Sequence, residues 1–194
     1  RALLDAERVR GAEHALEHLP RDGGAVDAYQ RFVTARAGFV DEARDHLEWV
    51  EFDGAPRFLG VDDRDREILS FIPGEAVLEP APDWALTDAT LVSVAELLRR
   101  YHDAAASFDP AGHTWPDFVP AEFREGTISH NDPNLDNVVF SGGVAVGLID
   151  FDLASPGSAV WDVACAARLW APMREERDAP EAVRGRALER LRIF

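Results

Sequence analysis

Apolar residues recur at a helical period in several parts of the chain. This spacing predicts helices over residues 2–18, 25–49 (mainly helical), 88–105, 158–170 and from Pro180 to the end. Thr87 directly precedes the third of these helices and is expected to cap it. The amphipathic pattern of that helix predicts a buried face, formed by Leu91, Val94, Leu97, Leu98 and Tyr101.

Two pairs of short apolar runs are typical of antiparallel β-hairpins. The first pair, residues 57–60 and 67–72, flanks a polar turn. The second pair, residues 138–140 and 144–149, is joined by Ser141-Gly142-Gly143, and two glycines suit a tight hairpin turn. Residues 75–86 are rich in proline and irregular in pattern, so we place the junction between two structural units there.

Composition excludes several classes of function. The 194 residues include 36 acidic side chains and 20 basic ones, all of them Arg, for a net charge of −16. Without Lys the chain has no P-loop and no Lys Schiff base, and its acidity disfavours nucleic-acid binding. Cys165 is the one cysteine, which excludes an internal disulfide and favours a reducing, cytoplasmic location. We expect Cys165 to be a small core residue. No apolar stretch is long enough to span a membrane.

The negative charge is concentrated in the middle of the chain. Residues 51–150 carry 19 acidic and 6 basic side chains, a net charge of 6 − 19 = −13. A solvated acidic surface explains this excess, and so does an acidic cleft that attracts a cationic ligand. The second explanation gains weight because the same residues hold the polar segment described next.

A dense polar segment, residues 129–137, lies between two apolar runs and precedes the second hairpin. Asn137 comes just before the first strand of that hairpin and Asp150 just after the second, so both fall at its open end. Asp132 enters the same end from the preceding loop, where Pro133 favours an extended backbone. Carboxylate and amide oxygens suit Mg²⁺, which binds through few protein groups plus phosphates. Turn and cap roles explain each residue separately but not their convergence.

The spacing of these residues carries a family resemblance. His130-Asn131-Asp132 with Asn137 fits H-x-D-x-x-x-x-N, and residues 149–164 continue as Ile-Asp-Phe-Asp-Leu-Ala-Ser-Pro-Gly and then Val-Trp-Asp-Val-Ala. Together they resemble the aminoglycoside phosphotransferase family, which includes choline-kinase-like enzymes. Residues 54–60, 69–75 and 97–103 agree with it. The resemblance implies an α+β, protein-kinase-like fold of two lobes, a reduced N-terminal lobe over residues 1–76 and a catalytic C-terminal lobe over residues 77–194.

The resemblance also implies roles for individual residues. Asp132 would accept the proton of the substrate hydroxyl, and His130 would brace the catalytic loop. Asn137 and Asp150 would hold Mg²⁺ against the phosphates of ATP or GTP. The backbone of Ser70, Phe71 and Ile72 would form the hinge that binds the nucleotide base. Asp162 would accept hydrogen bonds from the loop backbone, or it is a carboxylate at a helix N-terminus that the helix dipole favours. Asp152 would be either a second metal ligand or a supporting polar residue. Asp136 is expected to be solvated.

The chain departs from this family in its first part. There is no glycine-rich phosphate loop and no Lys to pair with the phosphates. Arg31 or Arg36 would replace that Lys, with Glu42 or Glu48 as partner, although a guanidinium is not equivalent to an ammonium group. A natural short form, a remodelled relative and a fragment all stay open.

The leading interpretation is an ATP- or GTP-dependent, Mg²⁺-dependent kinase that acts on a hydroxyl of a small, cationic, aminoglycoside- or choline-like molecule. One alternative is a catalytically silent kinase-like module that binds a nucleotide or ligand. Another is a metal-dependent hydrolase that uses Asp132, Asp150 and Asp152.

Overall fold

The computed structural model describes residues 33–35, 50–61, 63, 66–78, 80–115 and 117–194. Within these residues, four short strands precede a long α-helix, and four more strands precede two further α-helices, which confirms the predicted α+β class. The elements are β1 (Val33–Ala35), β2 (Phe58–Val61), β3 (Arg66–Leu69), β4 (Glu75–Ala76), α1 (Asp88–Ala105), β5 (Thr127–Ser129), β6 (Val138–Ser141), β7 (Val144–Leu148), β8 (Ser155–Gly157), α2 (Ala159–Trp170) and α3 (Ala187–Ile193).

The first sheet has the strand order β1-β3-β2, with all neighbours antiparallel. The pairing of β2 with β3 confirms the first predicted hairpin. The prediction that residues 25–49 are mainly helical is wrong for β1. The first two residues of β1 are β-branched and pair with β3, and this pairing prevails over the helical spacing of the apolar residues around them. The other residues predicted helical there, and the helix over 2–18, lie outside the described residues.

The second sheet has the order β4-β6-β7 and contains the second predicted hairpin. Gly142 and Gly143 both have positive φ, 58° and 80°, as a two-residue hairpin turn requires. The strand β4 pairs with β6, and Gly74 just before it lies so close to β6 that a Cβ there would be 2.4 Å from the Phe140 carbonyl oxygen. This contact fixes the end of the predicted hinge against the second sheet. The boundary between residues 76 and 77 stays a prediction.

The third sheet pairs β5 with β8 in antiparallel register, with Ser129 opposite Ser155. The sequence does not predict this pairing, because three-residue strands carry too little pattern to be recognised. It brings the start of the polar loop beside the residues that follow Asp150.

The long helix α1 begins and ends where the spacing predicts. The Thr87 hydroxyl accepts a hydrogen bond from the Thr90 amide at 3.1 Å, which caps the helix. All five residues of its predicted apolar face are buried, and α1 packs on β7 and β5. Phe52, Phe140, Phe151 and Trp170 complete the core around it.

The helix α2 also agrees with prediction, since Ser158 caps it by accepting a hydrogen bond from the Trp161 amide at 3.2 Å. The prediction of a helix from Pro180 to the end is wrong in its first part. Residues Glu181–Val183 form a single 3₁₀ turn, Gly185 has a φ of 77°, and α3 begins only at Ala187. A left-handed residue interrupts a right-handed helix, which explains the late start. None of the helices in the described part of the chain is long and apolar enough to cross a membrane.

Candidate active site

The polar loop of residues 130–137 connects β5 to β6 and lies at the open end of the β6–β7 hairpin. The Ile149 amide donates to the carbonyl oxygen of Asn137 at 3.0 Å, so the hydrogen-bond ladder of the hairpin continues to its open end. Asp150 follows directly. The predicted placement of Asn137 and Asp150 at one end of the hairpin is therefore what the structure shows.

His130 is fully buried and holds the loop through both ring nitrogens. Its Nε2 donates to the Ile149 carbonyl at 3.0 Å, and its Nδ1 accepts from the Asp132 amide at 3.3 Å. Burial lowers the pKa of His130. These bonds fit the neutral tautomer with its proton on Nε2. His130 thus links the residue before Asp150 to the backbone of Asp132.

Asp162, near the start of α2, is completely buried and accepts hydrogen bonds from the same loop. Its Oδ2 accepts from the His130 amide at 2.9 Å and its Oδ1 from the Asn131 amide at 2.8 Å. The Nε2 of His102, in α1, donates to Oδ2 at 2.8 Å. This is the geometry that the resemblance implies for Asp162; its contribution to activity stays a prediction.

The carboxylate of Asp132 is half-buried and is held by two amide side chains. The Nδ2 of Asn134 donates to Oδ1, and the Nδ2 of Asn137 donates to Oδ2 at 3.1 Å and to the Asp132 carbonyl at 2.9 Å. Trp170, at the end of α2, donates from Nε1 to the Pro133 carbonyl at 2.8 Å. The carboxylate and the backbone on both sides of it are therefore fixed by hydrogen bonds.

Several neighbours act on the proton affinity of this carboxylate. Burial is the main cause that raises the pKa of Asp132 above its ordinary value, and the negative charges of Asp150 and Asp136 raise it further. His130 and Arg168 act in the opposite direction. A carboxylate with a raised pKa is a better proton acceptor than an exposed aspartate, as a general base requires.

Asn137 and Asp150 offer the oxygen ligands that the sequence predicts for Mg²⁺. The Asn137 amide uses its Nδ2 on Asp132, which leaves the amide oxygen as the ligand atom. Asp150 has a φ of 61°, an uncommon left-handed backbone for a residue other than glycine. One amide oxygen and one carboxylate fit a hard cation that completes its shell with water and phosphate. Their role as ligands stays a prediction.

The hydrolase alternative would use Asp132, Asp150 and Asp152. In the part of the chain that the structure describes, no group of three His, Cys, Asp or Glu side chains is arranged to hold a metal ion. This alternative therefore stays a prediction.

The hinge predicted over Ser70–Ile72 follows β3. The Ser70 amide donates to the Arg57 carbonyl and its hydroxyl accepts from the Arg57 amide, both at 2.8 Å, so the Ser70 N–H is already paired. Among the described residues, no backbone hydrogen bond involves Phe71 or Ile72. The side chain of Ile72 packs on Gly147 of β7, where a Cβ would lie 2.6 Å from Ile72 Cδ1. The role of Ser70, Phe71 and Ile72 as a hinge that binds the nucleotide base stays a prediction.

Three residues that the sequence analysis did not assign to the site are central to its geometry. His102 reaches Asp162 from α1, and Asn131 and Trp161 bond to each other at 3.1 Å beside the loop. His102 belongs to a stretch that resembles the family and lies next to the buried Tyr101. These two features are the sequence signals that could have assigned His102 to the site. The two alternatives for the basic residue, Arg31 and Arg36, and the two for its acidic partner, Glu42 and Glu48, lie outside the described residues.

Two comparisons give this geometry a context. Residues 113–194 match the model of the phosphotransferase enzyme family, so the predicted resemblance is confirmed for this part of the chain. A curated relative, the trifolitoxin immunity protein of Rhizobium leguminosarum bv. trifolii, is 40% identical over 130 residues, which cover 64% of this chain and 48% of the relative. The chain thus spans about half the length of the curated relative it matches.

Solved structures of phosphotransferases are also similar. The apo form of a thermostable mutant of aminoglycoside phosphotransferase APH(4)-Ia is 18% identical, with a TM-score of 0.47, over 83% of this chain and 74% of that one. A D198A form of the same enzyme, in a ternary complex with ADP and hygromycin B, is 17% identical, with a TM-score of 0.48, over the same shares of both chains.

Proposed function

We propose that this protein transfers the γ-phosphoryl group of ATP or GTP to a hydroxyl of a small molecule. The observation that carries the proposal is the arrangement of Asp132. Its carboxylate is held by Asn134 and Asn137, has a raised pKa, and sits on a loop anchored by Asp162. The family match of residues 113–194 supports the same class of reaction.

In the proposed reaction the acceptor hydroxyl oxygen attacks the γ-phosphorus. A new O–P bond forms, the bond from phosphorus to the β–γ bridging oxygen breaks, and its electron pair leaves with the nucleoside diphosphate. The hydroxyl proton passes to the carboxylate of Asp132. Because Asn134 and Asn137 fix the carboxylate before the acceptor arrives, little reorganisation is needed for the transfer.

The other side chains bind and orient the nucleotide. Asn137 and Asp150 would hold Mg²⁺, which when bound neutralises charge on the phosphates. The backbone groups of Phe71 and Ile72 would bind the base. His130 keeps the loop backbone fixed relative to Asp150 through its bonds to Ile149 and Asp132.

The test is phosphate transfer from labelled ATP and GTP to a panel of amino alcohols and aminoglycosides at pH 8. Asp132→Asn is expected to lower kcat by about 10³-fold, since it removes the proton acceptor and keeps the size of the side chain. Asp136→Asn is the matched control, because Asp136 is an exposed aspartate of the same loop. Wild-type transfer that Asp132→Asn leaves unchanged would contradict the proposal.

We further propose that the acceptor is a toxic molecule with a hydroxyl group and that phosphorylation protects the cell from it. The 40% identity to the trifolitoxin immunity protein favours this acceptor class. Protection by binding alone is the second candidate, and it corresponds to the catalytically silent module.

One experiment separates these two forms of protection. Sensitive cells that express the wild-type chain, Asp132→Asn or Asp136→Asn are challenged with trifolitoxin and with hydroxyl-bearing antibiotics. Protection by wild type and Asp136→Asn but not by Asp132→Asn supports phosphorylation. Equal protection by all three chains supports binding without turnover, and protection by none contradicts the toxin proposal.

A further inference from the structure

Asn131 precedes Asp132 in the loop, and its side chain uses every polar atom. Its Nδ2 donates to the Leu153 carbonyl at 2.7 Å and to the Ser155 hydroxyl at 2.9 Å. Its Oδ1 accepts from the Trp161 indole at 3.1 Å. One side chain therefore bonds to the segment after Asp150 and to α2.

The backbone of Asn131 is constrained as well. Its amide donates to Asp162 at 2.8 Å, and its φ is 67°. A left-handed φ is costly for most residues, and asparagine is among the side chains that tolerate it best. Because this φ sets the direction in which the chain enters Asp132, the backbone turn and the side-chain bonds of Asn131 act on the same neighbouring residue.

The indole of Trp161 is itself fixed in place. Its ring stacks on Phe123, with centroids 5.4 Å apart and planes 29° apart. Its position in the first turn of α2 puts it next to Asp162 in sequence. The ring that donates to Asn131 is therefore also held by its contact with Phe123.

We infer that Asn131 is a positioning residue that links the segment Leu153–Ser155 and Trp161 to the placement of the Asp132 carboxylate. The inference rests on the proposed phosphotransferase function for its kinetic part. Its structural part, the ordering of the loop by Asn131, stands on the hydrogen bonds alone. A displacement of a catalytic group by about 1 Å is enough to lower a rate by about 100-fold.

Two variants remove these bonds without creating a backbone conflict. Asn131→Gly keeps the left-handed backbone and removes all three side-chain bonds. Trp161→Phe keeps an aromatic ring on Phe123 and removes only the donor to Oδ1. Trp115→Phe is the matched control, because the Trp115 indole also donates to a single acceptor, the Pro110 carbonyl, at 3.1 Å.

The experiment measures both the loop and the reaction. Amide hydrogen exchange at His130 and Asn131 is expected to accelerate at least about tenfold in Asn131→Gly and less in Trp161→Phe, with no change in Trp115→Phe. For an acceptor that wild type phosphorylates, kcat is expected to fall about 10- to 100-fold in Asn131→Gly, while KM for the nucleotide stays within about twofold.

Unchanged exchange at both amides in Asn131→Gly would overturn the inference, whatever the activity. Wild-type kcat in Asn131→Gly would overturn it too. If wild type phosphorylates no acceptor, the proposed function fails, and the exchange measurement alone then decides whether Asn131 positions the loop. A fall in kcat that Trp115→Phe shares equally would point to general loss of stability and would also overturn the inference.

Discussion

The Nε2 atom of His102 donates to Oδ2 of Asp162 at 2.8 Å, between two buried side chains that are 60 residues apart in the chain. The same carboxylate accepts two backbone amides of the loop that carries Asp132. One pair thus ties α1, α2 and the loop together. Asp162 is consequently as much a part of the fold as of the candidate site.

Replacing Asp162 with Ala is expected to lower the free energy of unfolding by about 3 kcal/mol, since three buried donors lose their acceptor. Urea unfolding followed by tryptophan fluorescence measures this change. Asp103→Ala is the control: its side chain is 74% exposed in a surface pair with Arg99, and its effect is expected to stay within about 0.5 kcal/mol. Equal losses in both variants would contradict the proposed role of Asp162.

The pH profile of phosphate transfer tests the environment of Asp132. The ionised form is the proton acceptor, and its pKa is raised mainly by burial, so kcat/KM is expected to fall as the pH drops through a value above 3.8. Asp136→Asn removes a neighbouring anion and shifts this fall to lower pH. Arg168→Gln removes a cation and shifts it to higher pH. Shifts of both variants in one direction would refute this assignment.

Cys165 is expected to react slowly with alkylating reagents. Burial raises the pKa of its thiol to about 11, so only about one molecule in a thousand carries the thiolate at pH 8. Its modification by iodoacetamide, followed by mass spectrometry, is expected to accelerate as the pH rises towards 11. In urea the rate of modification is expected to reach that of an exposed thiol. Rapid labelling of the folded protein at pH 8 would show that burial does not raise the pKa of the Cys165 thiol.

Gly74→Ala is expected to disturb the end of the predicted hinge. A Cβ at Gly74 would lie 2.4 Å from the backbone oxygen of Phe140, and the φ of 155° is already unfavourable for alanine. We expect a loss of at least about 2 kcal/mol in the free energy of unfolding and weaker nucleotide binding.

Gly60→Ala separates the clash at Gly74 from backbone strain. Gly60 has a similar φ of 137°, but none of the residues that the structure describes lies within 4 Å of the position where its Cβ would be. Calorimetry of ATP binding with both variants is the measurement. A Gly60→Ala protein as unstable as Gly74→Ala would show that strain alone accounts for the loss.

Much of the candidate site was predictable because its signals are local. Asn137 and Asp150 flank a hairpin whose turn is a glycine pair, so the short-range geometry of that hairpin places them together. The helix α1 was predictable in bounds and buried face, because cap and apolar spacing agree. Cys165, expected in the core, is only half-buried, since helical spacing tells which face is apolar but not how completely a neighbour covers it.

The bonds between distant segments were not predictable. His102 and Asp162 meet only because α1 and α2 both pack against the loop, and no spacing along the chain encodes that meeting. The same holds for Asn131, whose side-chain partners lie 22 to 30 residues away. The strand β1 lies in a region whose spacing of apolar residues is helical. It was not predictable, because its pairing partner β3 lies more than 30 residues further on.

The sequence by itself therefore determined which polar residues gather at the mouth of one hairpin and which class of chemistry they suit. Turn geometry and strand alternation act over a few residues, so they can be recognised in the sequence without knowledge of the tertiary structure. The tertiary structure decided how that cluster is held, through a buried carboxylate, a neutral histidine and a left-handed asparagine whose partners come from other elements. Hydrogen bonds of this kind depend on packing across the whole core, which no local pattern specifies.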